Sequence, residues 1–383
     1  MTALARAHNI ADLRRLARRR LPRGIFEFVD RGSEDELSLR ENRSALDRIK
    51  LRPRVLVDVS GRSMDATILG QTHAMPLAIA PTGAAGLVWH EGEVALARAA
   101  AKFGVPFTLA TGSITGIEKI AAAGGRLWFQ LYIWKERQLT WDLVERARAS
   151  GFEALLMTVD TAVAPNREYN RRNGFALPFQ VRPRAAFDMA LHPGWLARVL
   201  LRYLRTTGMP QYENHPPHLR RRITGNPLDT GAMRGDNLTW DDLRELRRRW
   251  PGKLMVKGVL RGEDAMRAVS LGADAVIVSN HGGRNLDAAM PAIAVLPEIV
   301  DAVGGRAPVL LDSGIRRGSD IVKAVALGAQ AVLAGRGPLF GTAVAGEAGA
   351  AHALKLLRTE MSTTMAFIGC TGVRDLGPEF LQP

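Results

Sequence analysis

A repeated helix-to-strand unit constrains the fold of this chain more than any other feature of its sequence. Residues 261–280 (RGEDAMRAVSLGADAVIVSN) and 317–336 (RGSDIVKAVALGAQAVLAGR) are identical at ten of twenty positions, at an offset of 56 residues. Each copy has the pattern of an amphipathic helix that stops at Leu-Gly-Ala and is followed by a short β-branched strand. A related unit occupies residues 145–160. Repetition of such units predicts parallel β/α architecture.

Eight short apolar segments are spaced along the chain as strands covered on both faces would be. Because helical stretches separate them, we predict an α/β fold built on a closed (β/α)8 TIM barrel rather than an open sheet. We expect a single domain over 1–383, with helices over 1–70, the barrel over 75–350, and a C-terminal helix and tail over 350–383. The predicted strands are Leu77–Ala80, Pro106–Ala110, Leu127–Leu131, Ala154–Val159, Lys253–Val256, Ala275–Val278, Val309–Leu311 and Ala331–Leu333.

A long segment between the fourth and fifth predicted strands interrupts this regular spacing, and we interpret residues 175–238 as an insertion after strand 4. Part of it has apolar residues at helical spacing and arginines on another face. Such a basic amphipathic helix could lie on an anionic membrane. A lid, or a helix packed on a neighbouring subunit, fits the pattern equally well. The residues concerned are Trp195, Leu196, Val199, Leu200, Tyr203 and Leu204, with Arg198, Arg202 and Arg205.

The composition narrows the choice of partners. Fifty-two Lys and Arg against 38 Asp and Glu give a formal net charge of +14, which attracts anions. No nucleic-acid motif accompanies the basic runs, so we expect an anionic ligand or a membrane surface rather than nucleic acid. The single cysteine, Cys370, excludes an internal disulfide, and no cysteine-based zinc pattern is present. We expect no metal, and a cytoplasmic location that includes the inner face of the cell membrane if the insertion binds lipid.

Polar residues follow the predicted strands, where TIM barrels carry their catalytic groups. His281 lies between a strand end and two glycines, with Arg284 three residues on. An imidazole beside a carboxylate-binding arginine suits proton abstraction from an anionic substrate, the alternative being a structural histidine. The loops 312–318 (DSGIRRG) and 335–337 (GRG) combine exposed backbone amides with arginines, which predicts a phosphate site. Alternatively, their glycines only end strands and cap helices.

Four motifs in this order resemble the family of FMN-dependent 2-hydroxy-acid dehydrogenases and oxidases: VKGV at 256–259, SNHGGRNLD at 279–287, DSGIRRGSD at 312–320 and GRGPLFG at 335–341. The similarity runs from about residue 21 to the C-terminus. Shorter phrases (PTG, LHPGW, GMPQ, IGC) are similar to the membrane-associated (S)-mandelate dehydrogenases of that family.

The resemblance implies FMN as cofactor and oxidation of an (S)-2-hydroxy acid to the 2-oxo acid, by hydride or carbanion transfer to flavin N5. It favours an aromatic substrate such as mandelate. The alternatives are an (S)-lactate dehydrogenase, a glycolate-type oxidase, or a flavin-binding membrane-surface protein whose substrate site has decayed. Quinone or oxygen would accept the electrons, and the family tends to form homotetramers.

The resemblance also implies roles for individual residues. His281 would be the base, with Asp160 behind the imidazole, and Lys257 would lie beside the N1–O2 edge of the flavin. The substrate would contact Phe28, Tyr132, Arg167, His281 and Arg284. The residues expected to contact FMN, besides Lys257, are Pro81, Thr82, Gly83, Ala110, Gln130, Thr158, Ser279, Asp312, Ser313, Gly314, Arg316, Gly335 and Arg336.

Four positions depart from the family pattern. Phe28 stands where the family usually has a tyrosine that bonds the substrate carboxylate, and loss of that donor weakens binding by roughly 1–3 kcal/mol. Ala110 replaces a common serine, and Asn285 replaces a glutamine. Gly83 replaces the alanine of many oxidases, which leaves room for a larger substrate or an acceptor other than oxygen.

Overall fold

The computed structural model describes residues 4–175, 183–216, 219–220, 222–223 and 236–382. Eight parallel strands close into a barrel in which the last strand, β10, pairs with the first barrel strand, β3. The predicted TIM barrel is therefore confirmed, and each predicted strand overlaps an observed one with ends displaced by at most three residues. The strands are β1 (Ala66–Ile68), β2 (Gln71–His73), β3 (Leu77–Ile79), β4 (Phe107–Ala110), β5 (Leu127–Leu131), β6 (Ala154–Thr158), β7 (Lys253–Val259), β8 (Ala275–Val278), β9 (Val309–Leu311) and β10 (Ala331–Ala334).

Helices surround the barrel and precede it. The two repeat copies fold as expected: each is a nine-residue helix followed by a barrel strand, ending in β8 and β10. The α-helices are α1 (Ile10–Arg20), α2 (Arg23–Asp30), α3 (Leu37–Arg48), α4 (Gly92–Phe103), α5 (Ile117–Ala121), α6 (Arg137–Ala149), α7 (Glu168–Asn173), α8 (Pro183–Ala190), α9 (Pro193–Trp195), α10 (Leu201–Thr206), α11 (Trp240–Arg249), α12 (Gly262–Ser270), α13 (Ala292–Val303), α14 (Gly318–Ala326) and α15 (Arg336–Phe367). A π-helical turn, Leu196–Leu200, joins α9 to α10.

The N-terminal region contains the predicted helices and, in addition, a hairpin. Strands β1 and β2 pair antiparallel next to the amino ends of the barrel strands. Ile68 of the hairpin packs in one apolar cluster with Ala78, Trp128 and Leu156 of the barrel interior. The prediction of helices alone over 1–70 missed this hairpin because strands of three residues carry too little alternation to be recognised.

The last helix, α15, continues through the boundary predicted near residue 350. It bends at Ala345 and Gly346, whose backbone angles are not helical. Gly346 has a φ of +57°, and a Cβ there would lie 2.5 Å from Nε1 of Trp89. Because only glycine combines this φ with such a close approach, the bend is fixed by the sequence. The predicted separate C-terminal helix is therefore the second half of one bent helix.

Part of the insertion packs on the barrel. Trp195, Val199 and Tyr203 are buried, and Trp195 Nε1 donates a hydrogen bond to the carbonyl of Leu87 at 2.7 Å. The Tyr203 hydroxyl accepts from the backbone N–H of Glu91 at 2.9 Å. This part of the predicted apolar face therefore meets the protein rather than a membrane.

Other apolar residues of the insertion face outward and are between 41% and 68% exposed: Phe187, Leu191, Leu201 and Leu204. Residues 176–182, 217–218, 221 and 224–235 of the predicted insertion lie outside the described residues. Within the described residues, no helix has both the length and the apolar character needed to cross a membrane.

Candidate active site

A chamber of about 540 Å³ opens at the carboxyl ends of the barrel strands. Most of the predicted site residues line this chamber. They come from the ends of all eight barrel strands and from α2. Those that line it are Phe28, Pro81, Thr82, Gly83, Ala110, Gln130, Tyr132, Thr158, Arg167, Lys257, His281, Arg284, Asp312, Ser313, Gly314, Arg316, Gly335 and Arg336. The two remaining predicted residues, Asp160 and Ser279, lie behind this wall.

His281 and Asp160 form a hydrogen-bonded pair, with 2.9 Å between Nδ1 and Oδ1. Gly258 allows this approach, since a Cβ there would lie 2.6 Å from the Cβ of Asp160. His281 itself has a φ of +58°, an uncommon conformation for a residue with a side chain. The hydroxyl of Ser279 holds it there by accepting from the His281 backbone N–H at 3.0 Å. Backbone strain of this kind concentrates at functional sites.

The charges of this pair suit a base. Burial lowers the pKa of His281 below its ordinary 6.5, and the opposing effect of Asp160 does not restore it. Burial raises the pKa of Asp160, but the charge of His281, its hydrogen bond and the charge of Lys257 outweigh this and lower that pKa to about 2. At neutral pH an ionised carboxylate therefore accepts the Nδ1 proton of a neutral imidazole. The other ring nitrogen, Nε2, keeps its lone pair and can take a proton.

Lys257 supplies a buried positive charge beside the pair. Its Nζ lies 2.8 Å from Oδ2 of Asp312 and donates to the hydroxyl of Ser279 at 2.9 Å. Burial lowers the pKa of Lys257, but Asp312 and Asp160 more than compensate, so that the pKa is raised. The ammonium therefore stays charged at neutral pH. Ser279 links this ammonium to the backbone of His281.

Two arginines meet beside Phe28. Arg284 Nη1 donates to the carbonyls of Phe28 at 2.8 Å and Arg31 at 3.1 Å, and its guanidinium lies 5.4 Å from the centre of the Phe28 ring. Arg167 Nε donates to the carbonyl of Arg284 at 3.4 Å. Both side chains line the chamber together with Tyr132. This cluster can bind a carboxylate by charge and by directed N–H groups.

The other end of the chamber carries two half-buried arginines. Burial lowers the pKa of Arg316 to about 10, and the charge of Arg43 contributes. Burial also lowers the pKa of Arg336 well below its ordinary value, with Arg284 and Arg316 adding to the effect. A bound anion would relieve this repulsion between like charges. Arg336 is held in place by the carbonyls of Val29, Gly282 and Arg31, which accept its hydrogen bonds at 2.9, 2.9 and 3.0 Å.

Polar side chains on β5 and β6 form the wall between these two ends. Gln130 Nε2 donates to the hydroxyl of Thr158 at 3.0 Å, and both side chains are buried. Thr111 accepts from the backbone N–H of Tyr132 and donates to the carbonyl of Gln130. The predicted residues of the wall are thus fixed by their neighbours before any ligand contacts them.

The sequence analysis gave no site role to several contributors, including Asn285, which it noted only as a departure from the family pattern. Asn285 donates to the carbonyl of Asp160 at 2.7 Å and to the hydroxyl of Thr161 at 2.8 Å, and so fixes the loop that carries the carboxylate. Its position directly after His-Gly-Gly-Arg was the available signal. Trp134, Tyr212 and His215 also line the chamber, and their sequence context offered no comparable signal.

Comparison with known proteins agrees with this geometry. Residues 17–383 match the family of FMN-dependent dehydrogenases. The chain belongs to this family. It is 43% identical over 375 residues to the (S)-mandelate dehydrogenase of Pseudomonas putida. The aligned region covers 98% of this chain and 93% of the relative. It is 44% identical over 387 residues to the L-lactate oxidase of a Nostoc species, over the full length of both.

Comparison of three-dimensional structures leads to the same family. A crystal structure of the monotopic membrane protein (S)-mandelate dehydrogenase superposes with a TM-score of 0.93 at 42% identity, covering 98% of this chain and 99% of the other. The present chain is therefore a flavoprotein that, like its family, uses FMN to oxidise 2-hydroxy acids. The residues present fit that cofactor, because FMN carries a single phosphate and the chamber has one end with two half-buried, mutually repelling guanidinium groups.

Proposed function

We propose that this enzyme oxidises an (S)-2-hydroxy acid with an aromatic side chain, such as mandelate, to the 2-oxo acid. Bound FMN supplies the two-electron acceptor for this chemistry. The observation that carries the proposal is the pair of His281 and Asp160, a neutral imidazole held by an ionised carboxylate at 2.9 Å on the chamber wall. A base of this kind needs a substrate with an acidic proton and an anchor, and the neighbouring arginines provide the anchor.

The substrate carboxylate binds to Arg284 and Arg167, and Tyr132 donates a hydrogen bond to the substrate. Arginine is suited to this task because its planar fork matches the two oxygens of a carboxylate. His281 takes a proton from C2 of the substrate or from its hydroxyl. Asp160 stabilises the imidazolium that results and does not itself react.

At the phosphate end, Arg316 and Arg336 would hold the FMN phosphate together with the backbone of Gly314 and Gly335. Lys257, charged and buried, would place a positive charge beside the ring system and stabilise negative charge that develops there. The buried Gln130 and Thr158 would line the flavin.

Position 28 supports the aromatic preference indirectly. Because Phe28 lacks the hydroxyl that would bond the carboxylate, a small acid loses binding that an acid with an aryl ring can recover through contacts elsewhere in the chamber. The Phe28 ring lies 5.6 Å from the ring of Phe175 and adds an apolar surface where the family usually has a hydroxyl. A mandelate dehydrogenase is among the relatives, which supports the same preference. Oxidation of (S)-lactate is the second candidate, because the identity to an L-lactate oxidase is equally high.

The test is anaerobic reduction of the bound flavin. The purified holoenzyme is mixed separately with (S)-mandelate, (S)-lactate and glycolate, and the visible flavin absorbance is followed. Rapid bleaching by mandelate, with slower bleaching by the two small acids, is expected. Faster bleaching by lactate would establish the second candidate, and no bleaching by any of the three would overturn the proposed function.

We further propose that the enzyme binds peripherally to an anionic membrane through the outward-facing part of the insertion and passes electrons to quinone. The exposed Leu191 and Leu204 accompany the exposed Arg198, Arg202 and Arg205, a combination that favours an anionic interface. Sedimentation with anionic vesicles should carry the enzyme down, and Leu191→Glu with Leu204→Glu should abolish this. An enzyme that does not sediment with such vesicles at low salt would refute membrane binding.

Light scattering would test the homotetramer that the family resemblance implies.

A further inference from the structure

Three aromatic groups on the chamber wall have no part in the chemistry proposed above. Trp134 follows β5, whereas Tyr212 and His215 belong to the insertion, and all three line the chamber. The ring of Tyr212 is stacked on that of His215, with centroids 4.8 Å apart and 17° between planes. Trp134 meets His215 edge to face at 5.6 Å. These separations are typical of favourable aromatic contacts, so the three rings form one continuous surface.

The side chain of Asn214 fixes this surface to the barrel. Asn214 is 1% exposed, and its Oδ1 accepts from the backbone N–H of Ile117, the first residue of α5, at 3.0 Å. Its Nδ2 donates to the carbonyls of Thr115 at 3.3 Å and Ala110 at 3.5 Å. Ala110 itself lines the chamber. A single buried amide thus ties the segment between the two insertion rings to the end of β4.

A second set of contacts closes the segment on itself. Arg220 donates to the carbonyl of Glu213 at 3.1 Å, and the backbone N–H of Ile223 donates to the carbonyl of Pro210 at 2.8 Å. Gln211 pairs with Arg222 in an isolated antiparallel bridge. The rings of Tyr212 and His215 are therefore carried by a closed loop with its own hydrogen bonds, although they lie outside the barrel.

We propose that Tyr212 and His215, together with Trp134, select the side chain of the substrate, and that Asn214 is the positioning residue that holds them. The selected group is an aryl ring attached to the 2-hydroxy acid. The arginines beside Phe28 bind the carboxylate that every substrate of the class shares, whereas an aryl ring distinguishes mandelate from lactate. An aromatic wall gains dispersion and edge-to-face contacts with an aryl ring that a methyl group cannot match. This inference rests on the proposed oxidation of aromatic 2-hydroxy acids.

The experiment replaces each ring by an aliphatic side chain and compares two substrates. Holoenzyme carrying Tyr212→Leu or His215→Leu is mixed anaerobically with (S)-mandelate and with (S)-lactate, and the rate of flavin reduction and the Kd are measured for each. One aromatic contact corresponds to a preference of up to about tenfold. We expect the mandelate-to-lactate ratio of reduction efficiency to fall by roughly that factor in each variant, with lactate itself little changed.

A matched control and a binding measurement separate selection from loss of structure. Phe187→Leu removes an aromatic ring from the same insertion at an exposed position, and its substrate ratio should equal that of the wild type. Phenylacetate has the aryl ring and the carboxylate of mandelate but no 2-hydroxyl group to oxidise. Its Kd, read from the perturbed flavin absorbance, should rise in the Tyr212 and His215 variants only. If mandelate reduces the wild-type enzyme and the variants keep the wild-type mandelate-to-lactate ratio, the inference is overturned. The proposed function would still stand. Equal losses for both substrates would overturn the inference as well.

Asn214→Ala tests the positioning role. Because Asn214 is not among the residues that line the chamber, the reduction rate at saturating mandelate should remain close to that of the wild type. The Kd for mandelate should rise several-fold and that for lactate should not. A uniform fall in the rate for both substrates would show that Asn214 only supports the fold.

Discussion

The barrel rim and the insertion line the same chamber, but they are held in different ways. Groups of the rim sit on strand ends and are fixed by buried contacts such as the ion pair of Lys257 with Asp312 and the hydrogen bond of His281 to Asp160. The insertion presents its rings from a loop that one buried asparagine fastens to the barrel. Residues proposed to carry out the chemistry thus lie at the strand ends, whereas Tyr212 and His215, proposed to recognise the variable part of the substrate, lie on a loop.

This division makes a general prediction. Changes to the rim groups proposed for the chemistry should affect all substrates alike, whereas changes to Tyr212 and His215 on the insertion should alter the ratio between substrates. The largest effect is expected for His281→Gln, which keeps the size of the side chain and removes the base. Turnover should fall by about 10²–10⁴-fold with mandelate and with lactate, while the purified protein stays yellow. Steady-state rates measure the turnover, and the visible absorbance measures the flavin content. A variant that oxidises either substrate at the normal rate would contradict the assignment of the base.

The next effect concerns Asp160→Asn and has a pH signature. The Asp160 charge raises the pKa of His281 against the effect of burial, so its removal should lower that pKa further. Because the imidazole acts as a base when neutral, kcat/KM falls as the pH drops through this pKa. The acidic limb of the profile should begin below pH 6.5 in the wild type and move to lower pH in Asp160→Asn. The rate on the plateau should also fall, since the imidazolium loses its stabilising charge.

A matched variant separates the charge of Asp160 from the length of its side chain. Asp160→Glu keeps the charge and lengthens the side chain, so the acidic limb should stay nearer to that of the wild type even if the rate declines. An acidic limb that is identical in the wild type and in Asp160→Asn would show that the carboxylate does not control the base.

A smaller effect is expected at the phosphate end. Arg336→Leu removes a half-buried guanidinium group. Loss of one charge-assisted hydrogen bond of about 1.5–3 kcal/mol weakens FMN binding roughly 10- to 150-fold. Fluorescence titration of the apoprotein with FMN measures this. Arg18→Leu, at an exposed position of α1, serves as control and should leave FMN affinity unchanged. Equal FMN affinities for the two variants would remove Arg336 from the cofactor site.

The smallest effect is expected from Phe28→Tyr, at a position that belongs neither to the barrel nor to the insertion. A hydroxyl beside the carboxylate cluster adds a donor for a group that all substrates share. Binding of mandelate and lactate should tighten by similar factors of about five- to tenfold, which corresponds to the lower end of the roughly 1–3 kcal/mol expected for this donor. Kd values from anaerobic flavin reduction test this. A change confined to mandelate would mean that position 28 contacts the aryl ring and that recognition is not restricted to Tyr212, His215 and Trp134.

The difference between the two regions also explains what the sequence could predict. Each barrel strand is a short, fully buried apolar segment, and the polar group that follows it marks a position on the rim. That rule located His281, Lys257 and Asp312 in the correct places. The same rule put Asp160 at the rim, but its position next to the histidine, 121 residues away in the chain, came only from the family resemblance.

The insertion offers no such rule. Helical spacing identified Trp195, Val199 and Tyr203 as one apolar face, but periodicity cannot say whether that face meets a membrane or the barrel. The structure shows them buried beside Leu87 and Glu91. Contacts to backbone carbonyls were equally hidden, because a carbonyl is available at every residue. The support of Arg284 by Phe28 and Arg31 is therefore visible only in three dimensions.

The carboxyl end of α2 has a consequence for redesign of this enzyme. The last carbonyls of a helix lack partners within it and carry partial negative charge, and here they accept from Arg284 and from Arg336. One guanidinium faces the substrate cluster and the other faces the phosphate end. Any substitution that shifts the backbone of α2 therefore perturbs retention of the cofactor and recognition of the acid together. Directed evolution of specificity should keep that backbone fixed, and grafting the barrel without its N-terminal helices would transfer an incomplete catalyst.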